Sequence, residues 1–263
     1  MAYQLAIKAA IEASKAIMDV YKSDFKTQDK QDGSPLTQAD LASSQQIEEI
    51  LMPLGFPITG EESPKAPFGE RQQWQKSWCV DPLDGTKEFI KRNGEFAVNI
   101  ALIENNKAVF GLIASPVNEE MLIGSKETGV YIFDFKNFEK PPYWKKILPP
   151  THCNSPLVMA CSRSHHSGPV LQLIHQLQEN GHPIEFIKKG SALKFFDLAL
   201  GKADIYPRFA PTMEWDIAAG QAILEALGGE VVHAQTQEPL RYNKANLVNP
   251  YFIARTAPLI KNH

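Results

Sequence analysis

The chain has 263 residues, of which 43% are hydrophobic and 22% charged, with a formal net charge of -3. This is globular composition, long enough for one large domain or two smaller ones, and it excludes a disordered or fibrous chain. The slight acidity supplies no basic field for a nucleic-acid polymer.

Residues 3–22 carry Leu5, Ala9, Ile11, Ala13, Ala16, Ile17 and Val20 with charges between them, a pattern that predicts an amphipathic helix. The same stretch lacks the unbroken apolar run of a signal peptide or membrane span, so a soluble, cytoplasmic protein is expected. After the polar segment KTQDKQDGSP, a second helix is expected from Leu36. Thr37-Gln38-Ala39-Asp40 has capping-box spacing, Leu41, Ile47, Ile50 and Leu51 supply a stripe, and Pro53 and Gly55 close the helix.

Beyond Trp74 the texture becomes strand-like. Ser77-Trp78-Cys79-Val80 runs into Asp81, and EFAVNIALIE and KAVFGLIASPV are joined by Asn105-Asn106, a hairpin signal. EEMLIGSKETGVYIF predicts a further hairpin, giving two helices on a largely antiparallel sheet. Pro141, Pro142, Pro149, Pro150 and Pro156 mark a segment with few signs of regular structure, where a domain boundary is placed between 1–150 and 151–263. Strands and helices then alternate through LVMACS, a helix from Pro169, IEFIKKG, SALKFFDLALG, ADIYPR, WDIAAGQAILEAL and GEVVH, an α/β layer. Cys79, Cys153 and Cys161 form no close C-x-x-C pair, which argues against a zinc knuckle or a disulfide framework.

The stretch VDPLDGT, residues 80–86, places two carboxylates around a proline. Asp81, the Leu83 carbonyl and Asp84 are hard oxygen donors of the kind Mg²⁺ prefers. Gly85 and Thr86 would open the next helix, whose free amides favour a phosphate. The plain alternative is that Asp84 caps that helix. Glu61 and Glu62, after an apolar stretch, could likewise be solvated loop acids, and Asp216 could merely favour its own helix N-terminus.

Taken together, Gly60-Glu61-Glu62, Asp81-Pro82-Leu83-Asp84-Gly85-Thr86 and Trp215-Asp216-Ile217-Ala218-Ala219 resemble the motif set of the inositol monophosphatase superfamily, in order and spacing. The resemblance implies a layered α-β-α-β-α sandwich, with an antiparallel sheet in the N-terminal half and an α/β layer in the C-terminal half. It implies Glu61, Asp81, the Leu83 carbonyl, Asp84 and Asp216 as ligands of two or three Mg²⁺ ions, with lithium sensitivity. It also pairs Thr86 with Asp40 and, with Glu61, has them orient and deprotonate the attacking water. Gly85 and Thr86 would hold the scissile phosphate, beside Glu61, Leu83, Asp84 and Asp216.

Within the superfamily, KQDGSPLTQAD (residues 30–40), Ser162-Arg163-Ser164-His165, Gly190-Ser191-Ala192-Leu193-Lys194 and Tyr206-Pro207-Arg208 look like elements of the CysQ-type 3'(2'),5'-bisphosphate nucleotidase branch. Arg163, His165, Ser191, Lys194 and Arg208 would then contact the substrate, the cations meeting a second phosphate. The alternative for Lys194 and Arg208 is a solvated surface cation. For His165 it is a structural hydrogen bond. The implied activity converts 3'-phosphoadenosine 5'-phosphate to AMP and phosphate, with the 5'-phosphosulfate as a second substrate, in sulfur metabolism. The competing expectations are an inositol or fructose 1,6-bisphosphate phosphatase and a silent nucleotide sensor. The implied partner is a small nucleotide; a homodimer and a peripheral contact with the inner membrane stay open.

Overall fold

The computed structural model describes residues 2–29, 35–161 and 168–261. The N-terminal half opens with α1 (Ala2–Tyr21) and a small hairpin, β1 (Thr27–Asp29) with β2 (Pro35–Thr37), leading into α2 (Gln38–Leu51). Thr37 caps α2 with the reciprocal box read from the sequence, its hydroxyl accepting from Ala39 N and its own amide donating to the Asp40 carboxylate. The helix starts at Gln38 rather than Leu36, because Pro35–Thr37 is taken up as strand. Leu41 is not part of the stripe: it is 53% exposed, and the buried face runs through Ala39, Ser43, Ile47 and Leu51. A 3-10 turn, Met52–Leu54, and the left-handed Gly55 end the helix.

Next come β3 (Ile58–Gly60), the short α3 (Phe68–Arg71), β4 (Lys76–Asp84) and α4 (Thr86–Ile90). The strands β5 (Ala97–Glu104) and β6 (Lys107–Ser115) turn at Asn105 and Asn106, both at positive φ, as an Asn-rich hairpin turn requires. The hairpin of β7 (Glu120–Ser125) and β8 (Gly129–Asp134) follows. The proline-rich segment contributes a strand the sequence did not reveal, β9 (Lys145–Ile147), which lays three residues along the β8 edge. Together these make a seven-stranded sheet in the order β3-β4-β5-β6-β7-β8-β9, antiparallel except for β3 beside β4.

The C-terminal half supplies β10 (Leu157–Cys161), α5 (Gly168–Glu179), β11 (Ile184–Lys188), α6 (Leu193–Ala199), β12 (Ile205–Arg208), α7 (Glu214–Ala226), β13 (Glu230–His233), β14 (Phe252–Arg255) and α8 (Ala257–Lys261). Its five-stranded sheet has the order β11-β10-β12-β14-β13 and is mixed, with β14 antiparallel to both neighbours.

The strand β5 explains how the layers stack. Val98, Ile100 and Leu102 face the cluster built with α1 and α2, while Ala97, Ala101 and Ile103 face α6 and α7. Both faces are covered, so the strand is a nearly continuous apolar run. The cluster on the α6/α7 side continues into Val231, Phe252 and Ala254 of the second sheet, so the proline segment near 150 separates the two sheets in sequence while their side chains share one core. A third cluster joins Val170 and Leu177 of α5 and Leu259 of α8 to the outer face of that sheet. The result is a five-layer α-β-α-β-α sandwich, with α6 and α7 as its central layer. The approach of α7 is close: a Cβ on Gly111 would lie 2.0 Å from Ala219 O. Among the described residues, no helix is long and apolar enough to cross a membrane.

Candidate active site

The site forms where the end of β4, the start of α4, the loop before α6 and the start of α7 meet. Register breaks in β4 between Asp81 and Asp84, so the Asp-Pro-Leu-Asp stretch bulges from the ladder with β5. Within the bulge Leu83 N donates to Asp81 Oδ1 at 3.0 Å. This fold-back puts Asp81 and Asp84 on one side, and α7 brings Asp216 against them. One carboxylate oxygen from each of the three lies within 4.8 Å of the others.

Asp84 does not cap α4. The cap position is Gly85, at φ 97, and no side chain bonds the first amides there. Asp84 Oδ2 instead accepts from Ala192 N at 2.5 Å and from Asn99 Nδ2 at 3.2 Å. Asp216 serves two ends: its Oδ2 accepts from Met213 N at 2.8 Å, fixing the first turn of α7, while the carboxylate also belongs to the cluster. Asp40 is similarly shared. Its Oδ2 accepts from the Thr37 amide and hydroxyl, both at 2.7 Å, and its Oδ1 accepts from the Thr86 hydroxyl at 3.0 Å. Thr86 Oγ1 also lies 3.3 Å from Leu83 O, which ties the hydroxyl to the bulge.

Glu61 follows β3, with its amide donating to Val80 O at 3.2 Å. It lies outside the tight group of three, yet its charge raises the pKa of Asp81, Asp84 and Asp216. Burial is the larger cause for each of the three. It pushes Asp81 well above the carboxylate range, raises Asp84, and brings Asp216 to about 8. Three carboxylates this close, with the charge of Glu61 acting on each, are costly without a cation. An all-oxygen donor set of carboxylates and a nearby carbonyl is the kind Mg²⁺ accepts, so the residues present fit that ion.

Beside the carboxylates lies a cavity of about 250 Å³, whose lining includes Asp84, Gly85, Ser191, Lys194, Arg208 and Asp216. A larger cavity of about 670 Å³ around Tyr3, Lys76 and Glu104 holds none of these groups. Lys194 is no solvated cation. It is 4% exposed, donates to Ser191 O at 2.6 Å and Lys189 O at 3.3 Å, and sits 5.0 Å from the centre of the Tyr206 ring. Burial lowers its pKa to about 8 against the opposing pull of Asp84. Arg208, part-buried at the end of β12, lines the same cavity. Arg163 and His165 lie outside the described residues.

Three contributors were not singled out from sequence. Asn99, fully buried, orients Asp84 and also approaches Trp215 O at 3.5 Å. One polar residue in the apolar run AVNIALI was the available signal. Glu95 Oε2 accepts from Gly190 N at 2.9 Å and fixes the loop that presents Ser191. Lys189 pairs with the buried Asp197 at 3.2 Å beneath that loop. Nothing local in the sequence marks these last two.

The family model of the inositol monophosphatase family matches residues 2–261. The 3'(2'),5'-bisphosphate nucleotidase CysQ of Salmonella typhimurium is 42% identical over 248 residues, covering 92% of this chain and 95% of its own. The crystal structure of CysQ from Bacteroides thetaiotaomicron, a bacterial member of the inositol monophosphatase family, superposes with a TM-score of 0.84 at 41% identity, covering 96% of each chain. The extragenic suppressor protein suhB of Bartonella henselae superposes with a TM-score of 0.77 at 25% identity, covering 99% of this chain and 96% of that one. On its matched length, its motifs and its five-layer sandwich, the chain belongs to the inositol monophosphatase family.

Proposed function

We propose that this protein is a Mg²⁺-dependent 3'(2'),5'-bisphosphate nucleotidase that hydrolyses 3'-phosphoadenosine 5'-phosphate to AMP and phosphate. The observation that carries the reading is the convergence of Asp81, Asp84 and Asp216 beside a cavity that also holds Lys194 and Arg208. Carboxylates alone suit any phosphatase of the family. Cations lining the same cavity suit a substrate with a second phosphate, and a relative alike over 92% of this chain carries the nucleotidase name.

In this reading Glu61, Asp81, the Leu83 carbonyl, Asp84 and Asp216 would hold two Mg²⁺ ions. When bound, the cations lower the pKa of water and neutralise the phosphoryl group. The protein's own groups do the rest. Asp40, anchored by Thr37, accepts the Thr86 hydroxyl hydrogen, which leaves the Thr86 oxygen lone pairs turned toward a water. The one proton that water loses passes to Thr86 Oγ1 as the Thr86 hydroxyl hydrogen moves on to Asp40, with Glu61 orienting the water. The Gly85 and Thr86 amides, at the start of α4, receive phosphate oxygens. Asn99 and the Ala192 amide hold Asp84 in its rotamer. Ser191, Lys194 and Arg208 meet the second phosphate, with Arg163 and His165 assigned to the same task by resemblance. The 5'-phosphosulfate analogue is a second substrate, the setting is sulfur metabolism, and the location is cytoplasmic.

Phosphate release from a panel tests the reading: the adenosine 3',5'-bisphosphate, inositol 1-phosphate and fructose 1,6-bisphosphate, each with Mg²⁺ and again with Li⁺. The nucleotide should lead by at least about tenfold in kcat/KM, with its turnover suppressed by Li⁺. Preference for either sugar phosphate would overturn the assignment of the substrate.

A further inference from the structure

A second polar assembly adjoins the carboxylates through Glu214, two residues before Asp216 at the start of α7. Arg71, at the end of α3, is 3% exposed. Its Nη1 donates to Asn243 Oδ1 at 2.9 Å and to Lys244 O at 3.0 Å, and its Nε donates to Ala66 O at 2.9 Å. Asn243 returns the contact, its Nδ2 donating to Arg71 O at 2.6 Å. The Asn243 amide then donates to Glu214 Oε2 at 2.6 Å, and Glu214 Oε1 accepts from Lys244 N at 3.0 Å and from the Lys244 ammonium. Glu214, 2% exposed, is the first residue of α7, two positions before Asp216.

These bonds join two segments distant in sequence. One is the stretch after β3 that runs from Glu61 to α3. The other is the first turn of α7. Lys65 adds a strap on the outer side, donating to Glu61 O and lying 5.3 Å from the centre of the Trp215 ring, between Glu214 and Asp216. Asn243 is held at φ 57, a conformation Asn tolerates, so its side chain and its amide can serve the two segments at once. A guanidinium and a carboxylate buried this deeply are retained in a fold only when their partners are fixed. Here the partners are mostly backbone atoms of a single loop, residues 243–245, which makes that loop the tie between Glu61 and Asp216.

We propose that Arg71, Asn243 and Glu214 are positioning residues that lock the Glu61 segment to the Asp216 helix and thereby set the affinity of the site for divalent cations rather than for nucleotide. The inference rests on the reading of the carboxylates as a cation site. Groups that orient metal ligands characteristically govern metal affinity by 10–100-fold. Nothing in this assembly lines the cavity with Lys194 and Arg208, so nucleotide binding has no reason to follow it.

The test is Mn²⁺ binding to the nucleotide-free protein, followed by electron paramagnetic resonance, together with KM for the nucleotide at saturating Mg²⁺. Asn243→Gly keeps the positive φ and the amide to Glu214 but deletes both bonds to Arg71. It should weaken Mn²⁺ binding about 10-fold or more, with KM within about twofold of the parent. Glu214→Gln, which keeps an acceptor, should fall between Asn243→Gly and the parent. Circular dichroism confirms that each variant is folded, and Arg71→Lys stands in where Glu214→Gln is not. Folded variants that bind Mn²⁺ like the parent, or that raise KM instead, would overturn the inference. A parent that binds no Mn²⁺ would overturn the cation-site reading beneath it, so the two failures are distinct.

Discussion

Replacing Asp216 with Asn should stabilise the metal-free protein at the same time as it abolishes function. In the folded state Asp216 has its pKa raised to about 8, against an ordinary 3.8. The folded protein therefore holds a proton there that the unfolded chain has released. Stability from this group is complete below about pH 4 and is lost as pH rises toward 8. At pH 7 the penalty is up to about 4 kcal/mol at 1.36 kcal/mol per pH unit. Partial exposure to the cavity reduces it to roughly 2–3 kcal/mol. Asparagine carries no such cost and keeps an oxygen for the Met213 amide. Differential scanning calorimetry in EDTA at pH 8 should show Asp216→Asn melting about 5–10 °C above the parent, with the gap closing at pH 5. Mg²⁺ should raise the parent's melting temperature and leave the variant's almost unchanged. An Asn variant that melts lower in EDTA at both pH values, or that gains as much from Mg²⁺ as the parent, would refute the account of the cluster.

Further substitutions probe other parts of the same argument. Thr86→Ser should retain kcat within about tenfold while Thr86→Ala loses about 10²–10⁴-fold, because only the hydroxyl held by Asp40 is removed. Lys194→Met should fold, since its site is already buried, and should raise KM for the bisphosphate more than it lowers kcat; a kcat-only effect in steady-state assays would move Lys194 out of substrate binding. Gly111→Val should fail to yield folded protein by circular dichroism, since even its first carbon overlaps Ala219 O.

What the sequence made legible has a common physical basis. Motifs whose geometry is local survived intact: the Thr37–Asp40 box, the Asn105-Asn106 turn, and the Asp81–Asp84 fold-back are each formed within a few residues. Polar groups whose meaning depends on tertiary neighbours were harder to read. For Asp84 a helix cap stood as the alternative to a metal ligand, and its Oδ2 accepts instead from Asn99 and Ala192, 15 and 108 residues away. For Lys194 a surface cation stood as the alternative to substrate contact, but α6, LKFFDLA, lies in the central layer with every side chain buried, which removes any polar face for it to occupy. Leu41 fits the spacing of a buried stripe but points outward, because Asp40 and Ser43 take the inward positions that reach Thr86 and Pro82 O. The strand β9 has three residues and no pattern of its own; pairing with Val130, Tyr131 and Ile132 creates it.

The central claim is that Asp81, Asp84 and Asp216 hold the cations that make this chain a nucleotidase. The most direct measurement is kcat/KM for 3'-phosphoadenosine 5'-phosphate, taken for the parent with Mg²⁺, for the parent with EDTA, and for Asp84→Asn with Mg²⁺. The account predicts phosphate release only in the first case, with a drop of at least about 10³-fold in the other two, of the size seen when a main transition-state stabiliser is removed. Near-parental turnover by folded Asp84→Asn, or undiminished turnover in EDTA, would contradict it.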